Sequence, residues 1–118
     1  MKFHRYKQLM GIGVGVAGLL IATETFSIDE AAAKALARQN NCLKCHSVSK
    51  EGDGPAYKKV AEKYKDKADA ETRLIEHITS GEKAKFPDGH EEEHKIVKTS
   101  PRKDMEQIKN LVQWILAQ

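Results

Sequence analysis

Cys42-Leu43-Lys44-Cys45-His46 holds both cysteines of a 118-residue chain. Two cysteines at this spacing have several readings. In an exported protein they form a disulfide. In a βαβ setting they form a thioredoxin-like redox pair. A zinc site needs further ligands, usually a second pair. The histidine directly after Cys45 favours a fourth reading, the covalent attachment site of a c-type haem. Two thiols about one helical turn apart reach the two vinyl groups, and the next imidazole then lies under the iron as an axial ligand.

Upstream, the first residues read as an export signal. Lys2, Arg5 and Lys7 form a positive start, and Leu9 to Thr23 carry no charge. The apolar run is short for a membrane span, which needs roughly 20 residues. Ala22, Thr23 and Thr25 suggest a cut just before Phe26. The expectation is a signal peptide or N-terminal anchor over residues 1–26 and one domain over residues 27–118. Such a protein is periplasmic, and touches the membrane only if the segment stays attached. Haem c is attached outside the cytoplasm in bacteria, so the two features agree.

Residues 27–118 keep 17 basic and 16 acidic side chains, a formal balance of +1. With no arginine-rich arm and no interleaved aromatics, nucleic-acid binding is not expected. Ninety-two residues with few aromatics (Tyr57, Tyr64, Phe86, Trp114) make a marginal core. A buried cofactor would supply the missing apolar volume.

Helical patterns fill the domain. Ser27-Ile28-Asp29-Glu30 has the form of a capping box with Ser27 as N-cap, and an alanine-rich helix follows to about Gln39. Gly52-Asp53-Gly54 is a turn. Pro55 suits a first helical position, opening a helix to Tyr64 with Tyr57, Val60, Ala61 and Tyr64 as its apolar stripe. A third helix runs from about Asp69 to Ser80, with Leu74, Ile75 and Ile78 buried and Gly81 as its stop. Residues 82–99 look irregular, with a turn at Pro87-Asp88-Gly89. Ser100-Pro101 opens a last helix whose stripe is Met105, Ile108, Leu111, Val112, Ile115 and Leu116. No segment alternates with period two, so no sheet is expected.

These residues resemble a class I cytochrome c of the small single-haem bacterial periplasmic kind. The likeness covers nearly all of residues 27–118. It rests on a helix leading into Cys-x-x-Cys-His, on Gly54-Pro55-Ala56-Tyr57 nine residues after His46, and on a C-terminal amphipathic helix carrying Trp114. The resemblance implies an all-α fold of four or five short helices around one covalent haem, with the terminal helices crossing so that Leu36 meets Leu111 and Ile115. It implies haem c bound through Cys42 and Cys45, iron held by His46, and Pro55 and Tyr57 at the cofactor. The Pro55 carbonyl would accept a hydrogen bond from His46 and orient it.

The chain departs from the family at the sixth ligand. The family's distal methionine precedes the last helix, and no methionine lies between Gly81 and Pro101. Met105 sits on the helical stripe and reads as core. The loop instead has His90 and His94. His94 is favoured, being nearer the last helix and followed by Ile96 and Val97; His90 is the alternative, and Met105 a weaker one. His77, beside Glu76 and Thr79, reads as a surface histidine.

The expected function is electron transfer, not enzyme catalysis: a filled sixth position blocks substrate while permitting one-electron exchange. The partner would be a redox protein such as a periplasmic dehydrogenase, met through Lys44, Lys50, Lys58 and Lys59. The alternative is a haem that binds or senses a small ligand at an open or displaceable sixth site.

Overall fold

The computed structural model describes residues 11–21 and 26–118. Residues 1–10 and 22–25 of the expected export signal therefore lie outside the described residues. Residues 11–21 are exposed and have no regular secondary structure. Among the described residues, no helix is long and apolar enough to cross a membrane.

The domain is built from α1 (Glu30–Gln39), a 3₁₀ turn (Cys42–Lys44), α2 (Tyr57–Tyr64), α3 (Ala70–Ser80), β1 (Lys83–Lys85), β2 (Glu91–Glu93) and α4 (Met105–Leu116). α4 is the hub, packing against α1, α2 and α3. Ala33, Leu36 and Ala37 recur at helical spacing on α1 and are buried. They meet Ile108, Leu111, Val112 and Ile115 of α4 in one apolar cluster. Leu36 thus joins Leu111 and Ile115 in the packing that the resemblance implies.

Several element starts differ from the sequence expectation. Asp29, not Ser27, caps α1, its side chain accepting the Ala32 N–H at 2.9 Å. The reason is long-range: the Asn110 side chain on α4 clamps the Asp29 backbone. α2 begins at Tyr57, not at Pro55. The Pro55 carbonyl is taken by His46, so the helix starts beyond it. The first N–H groups of α2 are satisfied instead by loop carbonyls, Tyr57 by Ser47 and Lys58 by Val48. α4 opens at Met105 rather than Ser100-Pro101, because Asp104 accepts from the N–H groups of Glu106 and Gln107. Gly81 ends α3 as expected, with φ 74° in the left-handed region.

Two further expectations are corrected. Met105 is 44% exposed and takes no part in the apolar cluster. It is the first residue of α4, and the buried stripe begins one turn later at Ile108. The segment after α3 is not wholly irregular either: β1 and β2 form a two-stranded antiparallel hairpin. Lys83 faces Glu93 and Lys85 faces Glu91 across it, pairs of opposite charge that favour this register. Neither strand buries a face, so no alternation of apolar and polar residues marked it.

One side chain ties distant segments. Asn40, just past α1, donates through Nδ2 to the Leu36 carbonyl (3.0 Å) and the Lys98 carbonyl (3.0 Å). Its Oδ1 accepts the Lys98 N–H at 2.7 Å. This joins the residues leading into the cysteine motif to the loop before α4.

Candidate haem site

A cavity of about 620 Å³ lies between α2, α3, α4 and the hairpin. Cys42 and Cys45 line one wall. Burial pushes the Cys42 thiol up from its ordinary value, Cys42's own backbone opposing and the neighbouring Cys45 adding to it. Leu74, Ile78, Leu111, Val112 and Ile115 form the apolar back wall, and Phe86, Ile96 and Val97 close the other side. Ile96 is half-exposed although apolar, which suits a residue facing a bulky apolar group that belongs there.

The 3₁₀ turn sets the geometry of the motif. Asn41 adopts a left-handed conformation (φ 57°) that ends α1 and launches the turn. The His46 N–H then donates to the Cys42 carbonyl at 2.9 Å, bringing the imidazole round below both thiols. His46 Nδ1 lies 2.7 Å from the Pro55 carbonyl oxygen. A carbonyl can only accept, so Nδ1 carries the proton and Nε2 keeps a lone pair free for a metal. Tyr57 stacks on the His46 ring (centroids 5.2 Å, planes 19° apart) and meets Trp114 edge-on at 5.6 Å. Burial and the adjacent Cys42 push the Tyr57 phenol up. Gly54 is needed here for space: a Cβ would fall 2.8 Å from His46 Nε2.

His94 faces His46 across the cavity, ring centroids 6.2 Å apart and planes at 45°. Its Nδ1 lies 2.9 Å from the Lys95 carbonyl oxygen, so it too donates from Nδ1 and leaves Nε2 free. Burial, then the charges of neighbouring His77 and His46, hold the His94 imidazole below its ordinary pKa. The same burial favours the neutral ring, the form that can ligate a metal.

His90 is drawn elsewhere. It is exposed on the hairpin turn, hydrogen-bonded to Asp88 and, at 3.2 Å, to Glu92, with Phe86 stacked against it. It does not line the cavity, and neither does Met105. His77, read from sequence as a surface histidine, lines it and packs 4.5 Å from the His94 ring. The sequence held one signal for this: His77 lies three residues after Leu74, on the border of the buried face of α3.

Volume, apolar walls, paired thiols and opposed imidazoles suit a flat apolar metal macrocycle held covalently on one side. These features define a small, mostly helical haem-binding domain. Residues 30–118 match the family model described as Cytochrome c, and the chain belongs to the cytochrome c family. Its cofactor is accordingly haem c with iron, and the fold is that of class I cytochromes c, a family of electron-transfer proteins.

The class 1 cytochrome MtoD from Sideroxydans lithotrophicus ES-1 is 67% identical in sequence, with a TM-score of 0.72 covering 77% of this chain and 97% of that one. Cytochrome c552 of Nitrosomonas europaea is 33% identical, with a TM-score of 0.56 over 71% of this chain and 96% of that one. In direct sequence comparison, cytochrome c-552 of Nitrosomonas europaea is 50% identical over 46 residues, 39% of this chain and 45% of the relative. The match thus spans about half the length of that curated relative.

Proposed function

We propose that this chain is a periplasmic single-haem electron carrier with bis-histidine ligation. Cys42 and Cys45 bind the haem covalently, His46 is the proximal ligand and His94 the distal one. The observation that carries this reading is the His46–His94 pair. Two imidazoles sharing one metal through bonds of ~2 Å have ring centres about 6 Å apart, and these two are separated by 6.2 Å. Each donates its Nδ1 proton to a backbone carbonyl, Pro55 on one side and Lys95 on the other. The free nitrogens are therefore both Nε2, and a backbone carbonyl orients each ring.

The cofactor supplies reversible one-electron chemistry. The protein's part is to hold it without rearrangement. Tyr57 and Trp114 brace the proximal ring, and Leu111, Val112 and Ile115 exclude water. A distal imidazole in place of a thioether lowers the potential, because methionine raises it. A filled sixth position leaves no place for a substrate, which favours a carrier over an enzyme. Lys44, Lys50, Lys58 and Lys59 are exposed near the motif and suit docking to a redox partner of complementary charge. The positive, then uncharged N-terminal segment supports export.

The test is spectroscopic. The ferric holoprotein is expected to be low-spin without the methionine–iron charge-transfer band, at a potential below that of His/Met cytochromes. His94→Ala should become high-spin and bind CO readily when reduced. An unchanged low-spin spectrum in His94→Ala would overturn the distal assignment. A high-spin, CO-binding wild type would indicate a ligand-binding haem instead.

A further inference from the structure

His94 lies in the segment joining the hairpin to α4, and among the described residues its only side-chain hydrogen bond is to the carbonyl of the next residue. A bond so local fixes the tautomer and leaves the ring as mobile as the loop that bears it. The restraint from outside the loop comes from α3. The His77 ring packs against the His94 ring, centroids 4.5 Å apart and planes at 47°. His77 is itself fixed, its Nδ1 lying 2.5 Å from Glu82 Oε1. The same carboxylate is bridged at 2.7 Å to Arg73, one turn earlier on α3. Glu82 also holds the ligand's backbone, its carbonyl accepting the His94 N–H at 2.9 Å. One residue thus grips His94 by the main chain and its neighbour ring by the side chain. The left-handed Gly81 makes this possible by turning the chain back beside α3.

We infer that His77 is a positioning residue for the distal ligand: its ring is a wall that keeps the His94 imidazole aimed at His46. The inference rests on the reading of His94 as the sixth ligand. A wall on one side of a loop-borne ring removes the rotations by which the ring swings away, so it slows loss of the bond without touching the metal. Sequence alone does not show it, since a histidine among polar helical neighbours reads as solvated.

The experiment uses the ferric holoprotein and cyanide as the incoming ligand, followed by stopped flow, with low-temperature EPR reporting the relative orientation of the two imidazoles. His77→Gln keeps a polar group near Glu82 and lacks the ring; His77→Phe keeps the ring and loses the bond. The glutamine variant is expected to bind cyanide about tenfold faster than wild type, as for loss of one well-packed contact, with a shifted EPR signal. The phenylalanine variant is expected to stay close to wild type in both. Wild-type cyanide kinetics and EPR in His77→Gln, or equal acceleration in both variants, would overturn the inference. His94→Ala, run alongside, separates the two claims. If it turns high-spin while His77→Gln behaves as wild type, only the wall is wrong. If it stays low-spin, the ligation reading fails and the wall with it.

Discussion

Asp29 and Asn110, 81 positions apart, are joined by two hydrogen bonds of 2.8 Å. The Asp29 N–H donates to Asn110 Oδ1, and Asn110 Nδ2 donates to the Asp29 carbonyl. Asn110 is the buried polar residue of the core among the described residues, and this closed pair is why it is tolerated there. The contact fixes where α1 starts and how it crosses α4. Asn110→Ala leaves both backbone groups without this partner and is expected to cost about 2 kcal/mol. Urea unfolding of the holoprotein would measure it; an unchanged midpoint would mean that water replaces the amide fully.

At Gly54 the issue is space rather than bonding. A methyl group there would press on the His46 ring, with Nε2 only 2.8 Å from the new carbon. The ring must then yield and give up its bond to the Pro55 carbonyl, worth about 1 kcal/mol. Gly54→Ala is expected to lower the yield of haem-attached protein in a strain that matures c-type cytochromes. Equal haem staining per mole of chain would show that the loop can retreat.

Leu111 is 1% exposed and stands between the α1–α4 core and the cavity. Leu111→Ala is expected to cost about 3 kcal/mol, through lost burial and the void left behind. The same void opens beside the cofactor, so the Soret spectrum should shift together with the melting temperature. A loss of stability without any spectral change would place the damage in the helix crossing alone.

The hairpin turn gives a prediction in pH. The bond to Asp88, and secondarily that to Glu92, raises His90 above its ordinary pKa near 6.5. Its folded value is thus above its unfolded one. The contribution to stability is fully present below about 6.5 and is lost as pH rises through the folded value. NMR titration of the His90 ring should show a midpoint above that of a free histidine, and Asp88→Asn should bring it back down. No difference between the two proteins would mean that the turn is not populated in solution.

Much of this molecule was legible from residues 40–57 and the last helix. Cys42, Cys45 and His46 are local in sequence and act together in space, so spacing alone announces them. The stripe from Ile108 to Ile115 is regular and buried, and the pattern reported it faithfully. Met105 broke the pattern because a periodic stripe does not say where the opposing helix stops. The hairpin leaves no period-two pattern in the sequence because it is stabilised by cross-strand charges and buries no face. The starts of α1 and α2 are set by partners, Asn110 and His46, which no local capping rule contains, whereas α4 starts at its own N-cap, Asp104. The missing methionine and the apolar residues Ile96 and Val97 make His94 a candidate from sequence alone. His77 and Glu82 were out of reach, since their roles depend on how Gly81 folds the chain back on α3.

The Asn40–Lys98 pair couples two stretches that the chain order keeps far apart. Asn40 stands two residues before the first cysteine, and Lys98 four residues after His94. Through one amide side chain, hydrogen-bonded to both the N–H and the carbonyl of Lys98, the proximal and distal edges of the cavity share a single fastening. The spacing between the two faces of the cavity is therefore set by a residue that lines its edge rather than by either histidine.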